Sequence, residues 1–324
     1  MKGYAALLIE VLLCTGPQAQ IASQPDLSPK ILVHAETQKG WPADCKLVPV
    51  AQLPMMLESG HVTIPASADG KDLTLGIDTG GYGSSLSQAG VKGLGLPYSA
   101  RLGAVIPAVG GMWISEGNVH LDNLRIGDLE LDGLNIPEMV AFPGVDGLIG
   151  PDILDKYDVE FDFGRAAFSL FMPHPCSDDA VHWTDSYAVI PFTLTRSGHV
   201  RVRVTLDGQN TDAILDTGAG ISLLSMRDAN SMFGLATHSP DVEATNPVSG
   251  TAWRGPVNAY TYMFKTLTMG GVTIPHPRIE LIDGRNFLGN DYATLVLGND
   301  VLSRFHLYIA YRQQKLYVTD ARAH

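Results

Sequence analysis

Among the side chains that could do chemistry, two Asp-Thr-Gly triplets stand out: Asp78-Thr79-Gly80 and, 138 residues on, Asp216-Thr217-Gly218. Each ends an apolar run, Leu73-Thr74-Leu75-Gly76-Ile77 before Asp78 and Ala213-Ile214-Leu215 before Asp216. A carboxylate directly after a buried strand is costly unless neighbouring groups satisfy it. The glycine that follows exposes backbone N–H at a tight turn, and the threonine hydroxyl can reach across to the other copy. If two such turns pack about a pseudo-two-fold axis, Asp78 and Asp216 face one another. Carboxylates about 3 Å apart cannot both ionise, so one proton is shared and their affinities for it split. The ionised partner then serves as general base toward a water, while the protonated one donates to a carbonyl oxygen. Such a pair suits hydrolysis of an amide with neither a metal nor a covalent nucleophile.

The elements that must position these triplets are themselves repeated. Ser59-Gly60-His61-Val62 recurs as Ser197-Gly198-His199-Val200, and Asp69-Gly70 as Asp207-Gly208, both at the same 138-residue offset as the triplets. Gly110 and Trp113 answer Gly250 and Trp253 at an offset of 140, and Leu148-Ile149-Gly150 answers Val296-Leu297-Gly298 at 148. A repeat of this length is a duplicated domain, not a solenoid. Each copy reads as β structure: short apolar or alternating runs, His61–Ile64 and Leu73–Ile77, then Val200–Leu206 and Asp212–Leu215, are separated by Asp-Gly turns. Helical signal is confined to short stretches after a glycine, Gly150–Leu154 and Gly298–Leu302, each with an Asp near its start. The predicted architecture is all-β: two homologous barrel-like lobes, about 46–172 and 187–322, joined by a Pro-, His- and Asp-rich linker over 173–186, with the cleft between them.

These features together resemble the aspartic protease group that includes pepsins and retroviral-type proteases. Both triplets match the catalytic one, and the second continues Ala219-Gly220-Ile221-Ser222 much as retroviral proteases do. Leu148-Ile149-Gly150 and Val296-Leu297-Gly298 match the apolar-apolar-Gly strand that, in this group, crosses behind each catalytic loop. The resemblance spans about 58–320. It implies an aspartic endopeptidase with Asp78 and Asp216 as catalytic carboxyls, Gly80 and Gly218 in the supporting turns, and Thr79 and Thr217 forming an inter-domain hydrogen-bond grip. It also puts Gly110, Trp113, Gly250 and Trp253 where flap hairpins lie, although the two tryptophans fit core anchors equally well. Two similar flaps would be nearer the retroviral dimer than pepsin, which has one. Gly81 departs from the pattern, where the group usually has Ser, Thr or Ala, and implies a looser first turn. A non-catalytic module that keeps the cleft to grip an extended peptide is the alternative, though it would have little reason to keep both aspartates.

Other chemistries lack their residues. The chain contains no Gly-x-Ser-x-Gly elbow and no His-Glu-x-x-His site, and Gly80-Gly81-Tyr82-Gly83 is not followed by the Gly-Lys-Ser/Thr of a phosphate loop. His174, Cys176 and His182 match no tetrahedral metal spacing, so neither metal nor cofactor is expected. A net charge of −12 with only 22 Lys and Arg in 324 residues argues against nucleic acid as a partner. A polypeptide substrate is the expected partner, and a chain carrying both lobes is expected to act as a monomer.

The N-terminus reads as an export signal over 1–22: Lys2, an apolar run from Ala5 to Cys14 interrupted by Glu10, then small and turn residues. That run is too short to span a membrane. Residues 23–45 follow as a linker or short pro-segment, and the product is expected to be periplasmic or secreted. Removal of the signal leaves Cys45 and Cys176, either one disulfide stapling the ends of the first lobe or two free thiols.

Overall fold

The computed structural model of the chain describes residues 32–33, 36–37, 47–100, 105–108, 111–115, 117–139, 143–173, 181–184, 186–248, 256–283 and 294–322. Among the described residues, strands make up 53% and helices 10%, an all-β protein of two lobes.

In the first lobe the strand His61–Ala68 turns through Asp69-Gly70 into Lys71–Ile77. Asp69 and Gly70 both take left-handed backbone conformations, with φ of 51° and 79°. That is the requirement of a tight two-residue hairpin and the reason Asp-Gly recurs there. The sheet runs Leu129–Pro137, Asn118–Ile126, His61–Ala68, Lys71–Ile77, Gly147–Ile149, Ser85–Leu86. The second lobe repeats this turn, with Val200–Leu206 and Gln209–Leu215 paired through Asp207-Gly208.

The apolar-apolar-Gly segments lie where the resemblance put them. Gly147–Ile149 runs parallel to Lys71–Ile77, Ile149 opposite Ile77, and antiparallel to Ser85–Leu86. Leu295–Leu297 likewise runs parallel to Gln209–Leu215, Leu297 opposite Leu215, and antiparallel to Leu223–Ser225. Each strand that leads into a triplet therefore ends against a buried partner strand, and the backbone N–H of Asp78 and of Asp216 donates to Ile149 O and Leu297 O, each at 3.0 Å.

A further sheet takes strands from both halves of the chain. Its order is Pro49–Pro54, Ala167–Phe171, Asp158–Asp162, Phe305–Ala310, Lys315–Asp320, Ser186–Leu194, every neighbour antiparallel. The halves meet where Asp158–Asp162 pairs with Phe305–Ala310. Val159 and Phe161 point into the main apolar core, while Asp158, Glu160 and Asp162 are also buried. Two short pieces of the N-terminal segment, Leu32–Val33 and Glu36–Thr37, pair with Val272–Thr273 and Ser186–Tyr187.

The short helices expected after Gly150 and Gly298 are present as Pro151–Leu154 and Asn299–Leu302. Two longer ones, Gln88–Leu94 and Met226–Phe233, lie outside the sequence expectation. Two glycines in Gln88–Leu94 weaken its intrinsic propensity. Both helices are defined by their ends instead: Ser87 and Ser225 accept the first-turn N–H groups, and Gly95 and Gly234 close the last turn at φ 74° and 69°.

Candidate active site

The two triplets meet between the lobes, and threonines tie them together from below. Thr79 Oγ1 donates to Leu215 O at 2.8 Å and accepts from Thr217 N at 3.0 Å. Thr217 Oγ1 reciprocates, donating to Ile77 O at 2.7 Å and accepting from Thr79 N at 3.1 Å. Both side chains are fully buried, so each of these bonds satisfies a backbone group that water cannot reach.

The carboxyls are held by their own turns. Gly80 N donates to Asp78 Oδ1 at 3.1 Å, and Gly218 N to Asp216 Oδ1 at 2.9 Å. Each glycine also makes room for the opposite carboxyl. A Cβ at position 80 would stand 2.3 Å from Asp216 Cγ, and one at 218 would stand 2.4 Å from Asp78 Cγ. The carboxyl of one lobe thus rests on the glycine of the other, which explains the triplet's third residue sterically.

The two carboxyls thus meet at the junction of the lobes, each packed against the other's triplet. Burial pushes the Asp78 carboxyl well above the usual carboxylate range, and the charge of Asp216 adds to the rise. Burial raises Asp216 as well, but the positive field of His199, the neighbouring Asp78 and the N–H groups of Gly218 and Ala219 oppose it. Both carboxyls are thus shifted toward keeping a proton, Asp78 the more strongly.

A second symmetric device braces each loop from behind. Ser84 Oγ donates to Asp152 Oδ1 at 2.8 Å and accepts from Gly150 N at 3.0 Å. Ser222 Oγ donates to Asp300 Oδ1 at 2.7 Å and accepts from Gly298 N at 3.1 Å. Asn299 adds a tie of its own, its Nδ2 donating to Gly60 O and Thr217 O, each at 2.7 Å. Ser84 and Asn299 carry no role in the sequence expectation. Ser84 and Ser222 nevertheless stand at the same 138-residue spacing as the triplets, the signal that could have found them. The Ser-Gly-His-Val repeats are also at the site: His61 Nδ1 bonds Gly218 O at 2.9 Å, and His199 Nε2 bonds Gly81 O at 2.8 Å.

Of the flap candidates, Trp113 lies in the strand Gly111–Ile114, which pairs with Val105–Ala108 as a two-stranded ladder apart from the lobe sheets. Gly110, Gly250 and Trp253 lie outside the described residues, as do Cys45, Cys176 and His174. In the second lobe, Val248 and Val257 exchange a pair of backbone hydrogen bonds across the segment that holds Gly250 and Trp253. His182 bonds Glu160 at 2.8 Å. No group of three or more metal-ligating side chains occurs among the described residues, and no described helix is long and apolar enough to cross a membrane.

A crystal structure of an aspartic proteinase from Irpex lacteus superposes with a TM-score of 0.50, covering 84% of this chain and 98% of that one at 15% identity. At that identity the likeness concerns the fold alone. No curated protein matches the chain. The sequence profile of the aspartyl protease family matches twice, over residues 64–153 and 202–301, so that each match contains one triplet and the strand behind it. The chain belongs to the aspartyl protease family.

Proposed function

We propose that the protein is an aspartic endopeptidase that hydrolyses extended polypeptides through a water activated by Asp78 and Asp216. The observation that supports it most directly is the meeting of the two carboxyls between the lobes, each held by a glycine N–H of its own turn and packed on the glycine of the other. Asp216 accepts a proton from the attacking water while Asp78 donates to the scissile carbonyl oxygen, giving a tetrahedral diol. Collapse of the diol sends a proton to the leaving amine, and the shared proton is restored. The threonine grip keeps the carboxyls from separating as charge moves between them, so little reorganisation accompanies the step.

In this reading the strands Val105–Ala108 and Gly111–Ile114 form a flap over the peptide. With both halves of the site in one chain, the enzyme acts as a monomer. The apolar N-terminal run directs it out of the cytoplasm.

The test is cleavage of a mixed peptide library across acid to mildly alkaline pH by wild type and Asp78→Asn. A bell-shaped profile for wild type, lost in the variant, is the expected result. Folded wild type that binds peptides and cleaves none at any pH would instead establish a peptide-gripping module.

A further inference from the structure

Asn299 follows directly on Val296-Leu297-Gly298 and is wholly buried. Its Nδ2 donates to two backbone carbonyls from opposite halves, each at 2.7 Å: Gly60 O in the Ser-Gly-His turn of the first half, and Thr217 O inside the second triplet. A reversed amide would set Oδ1 against both of these oxygens, so the orientation is fixed. Thr217 O belongs to the peptide group that joins Thr217 to Gly218. The other end of that same group is the N–H that donates to Asp216 Oδ1 at 2.9 Å. A continuous chain of hydrogen bonds therefore runs from Asn299, through one peptide plane, to the Asp216 carboxyl. The first half departs from this arrangement. Pro151 takes the corresponding place after Leu148-Ile149-Gly150 and has no side-chain donor. Its ring packs against the Gly198 turn instead, where a Cβ on the glycine would stand 2.9 Å from Pro151 Cβ. The Thr79–Gly80 peptide holds Asp78 Oδ1 at 3.1 Å without an amide from that position.

We propose that Asn299 is a positioning residue, acting on Asp216 through the Thr217–Gly218 peptide group. A glycine at 218 leaves that peptide plane freer to rotate than any other residue would. Rotation by half a turn would withdraw the N–H from the carboxyl and aim a carbonyl oxygen at it. The amide of Asn299 on Thr217 O opposes the rotation. A donor on a peptide oxygen also polarises the group and strengthens the bond that its N–H makes at the far end. His61 holds the next carbonyl, Gly218 O, at 2.9 Å, so the glycine is fixed on both sides. The Gly60 arm ties the same plane to the first half, which keeps Asp216 in place relative to the lobe that carries Asp78. The effect on turnover rests on the proposed function; the hold on the peptide plane does not.

The experiment uses the fact that Thr-Gly occurs three times in the chain, at Thr15, Thr79 and Thr217. Full-length protein carrying ¹³C at threonine carbonyls and ¹⁵N at glycine therefore shows the amides of both catalytic turns, with Gly16, free of all others. Wild type and Asn299→Ala are compared in this spectrum, and kcat and KM for peptide cleavage are measured on the same samples. The expected result is a Gly218 amide that moves upfield and exchanges with solvent about tenfold faster, while Gly80 stays in place; kcat falls about tenfold with KM little changed. A role in packing alone would lower the melting temperature and leave the Gly218 amide and kcat of the folded variant as they were, and that result overturns the proposal. Equal movement of Gly80 and Gly218 overturns it too, because the effect would then pass through the whole junction. Should Asn299→Ala not fold, Asn299→Asp carries the test, since its carboxyl keeps one donor in acid and loses it on ionising. Its Gly218 signal should lie near that of wild type in acid and depart from it as pH rises; a signal that follows wild type at every pH overturns the proposal. If wild type cleaves nothing, the endopeptidase reading fails, while the spectrum still decides what Asn299 holds.

Discussion

The cleft and the sheet shared by the two halves each bury carboxyl groups, and the proton affinities of Asp78 and Glu160 move in opposite directions. At the cleft, Asp78 is raised well above its usual range by burial and by the neighbouring Asp216. In the sheet shared by the two halves, Glu160 is buried as well, and burial would raise it too. Hydrogen bonds from His182 at 2.8 Å and His306 at 2.9 Å prevail instead and bring it down to about 2. Trp183 stacks on the His306 ring at 3.8 Å and fixes its orientation. Burial sets the size of the stakes, and the partner sets the sign. A carboxyl facing another carboxyl keeps a proton available for transfer, whereas one facing imidazole N–H groups becomes a permanent anion fit only to hold structure.

This contrast can be broken or sharpened at several positions. The largest effect belongs to Asp216→Asn, which removes the base: cleavage should fall by a factor of about 10³ or more, measured by peptide hydrolysis with the melting temperature as a control for folding. Glu160→Gln should cost about 3 kcal/mol at neutral pH, the worth of a pKa held at about 2 against an unfolded value of 4.5. Because the folded value is the lower one, that stability is present above pH 4.5 and is lost as pH falls toward 2. Denaturant titrations should therefore show wild type and variant converging in acid. Thr79→Val, which keeps the shape and strands Leu215 O and Thr217 N, should cost about 2 kcal/mol and lower activity with it. The smallest effect has the opposite sign. Asp78 is raised in the folded state, so its burial costs stability increasingly as pH climbs above 3.8. Asp78→Asn, inactive like Asp216→Asn, should therefore be slightly more stable than wild type at neutral pH in denaturant titrations, a gain that vanishes below pH 3.8.

The sequence showed the cleft far more clearly than the sheet between the halves. Two triplets at one spacing, each with its apolar-apolar-Gly strand, carry the site because the chemistry demands the same residues twice. The Asp-Gly hairpins were legible for a backbone reason, since few residues accept two successive positive φ values. Glu160, His306 and His182 were not legible. They lie 146 and 22 residues from one another, recur in neither copy, and form a cluster only once a strand from each half pairs. His182 accordingly read as a chance histidine in a linker. Gln88–Leu94 and Met226–Phe233 escaped notice because they are short and glycine-bearing or polar, so their capping residues and tertiary packing define them and periodicity does not.

The sheet that takes three strands from each half has one more consequence. The covalent link between the halves is not what holds them together: five residue pairs along Asp158–Asp162 and Phe305–Ala310, the Glu160–His306 contact and four threonine bonds across the cleft all join chain segments far apart in sequence. A polypeptide cut between the halves keeps every one of these contacts. Residues up to the linker and residues after it, made as separate chains, should therefore assemble into one particle that brings the two triplets together.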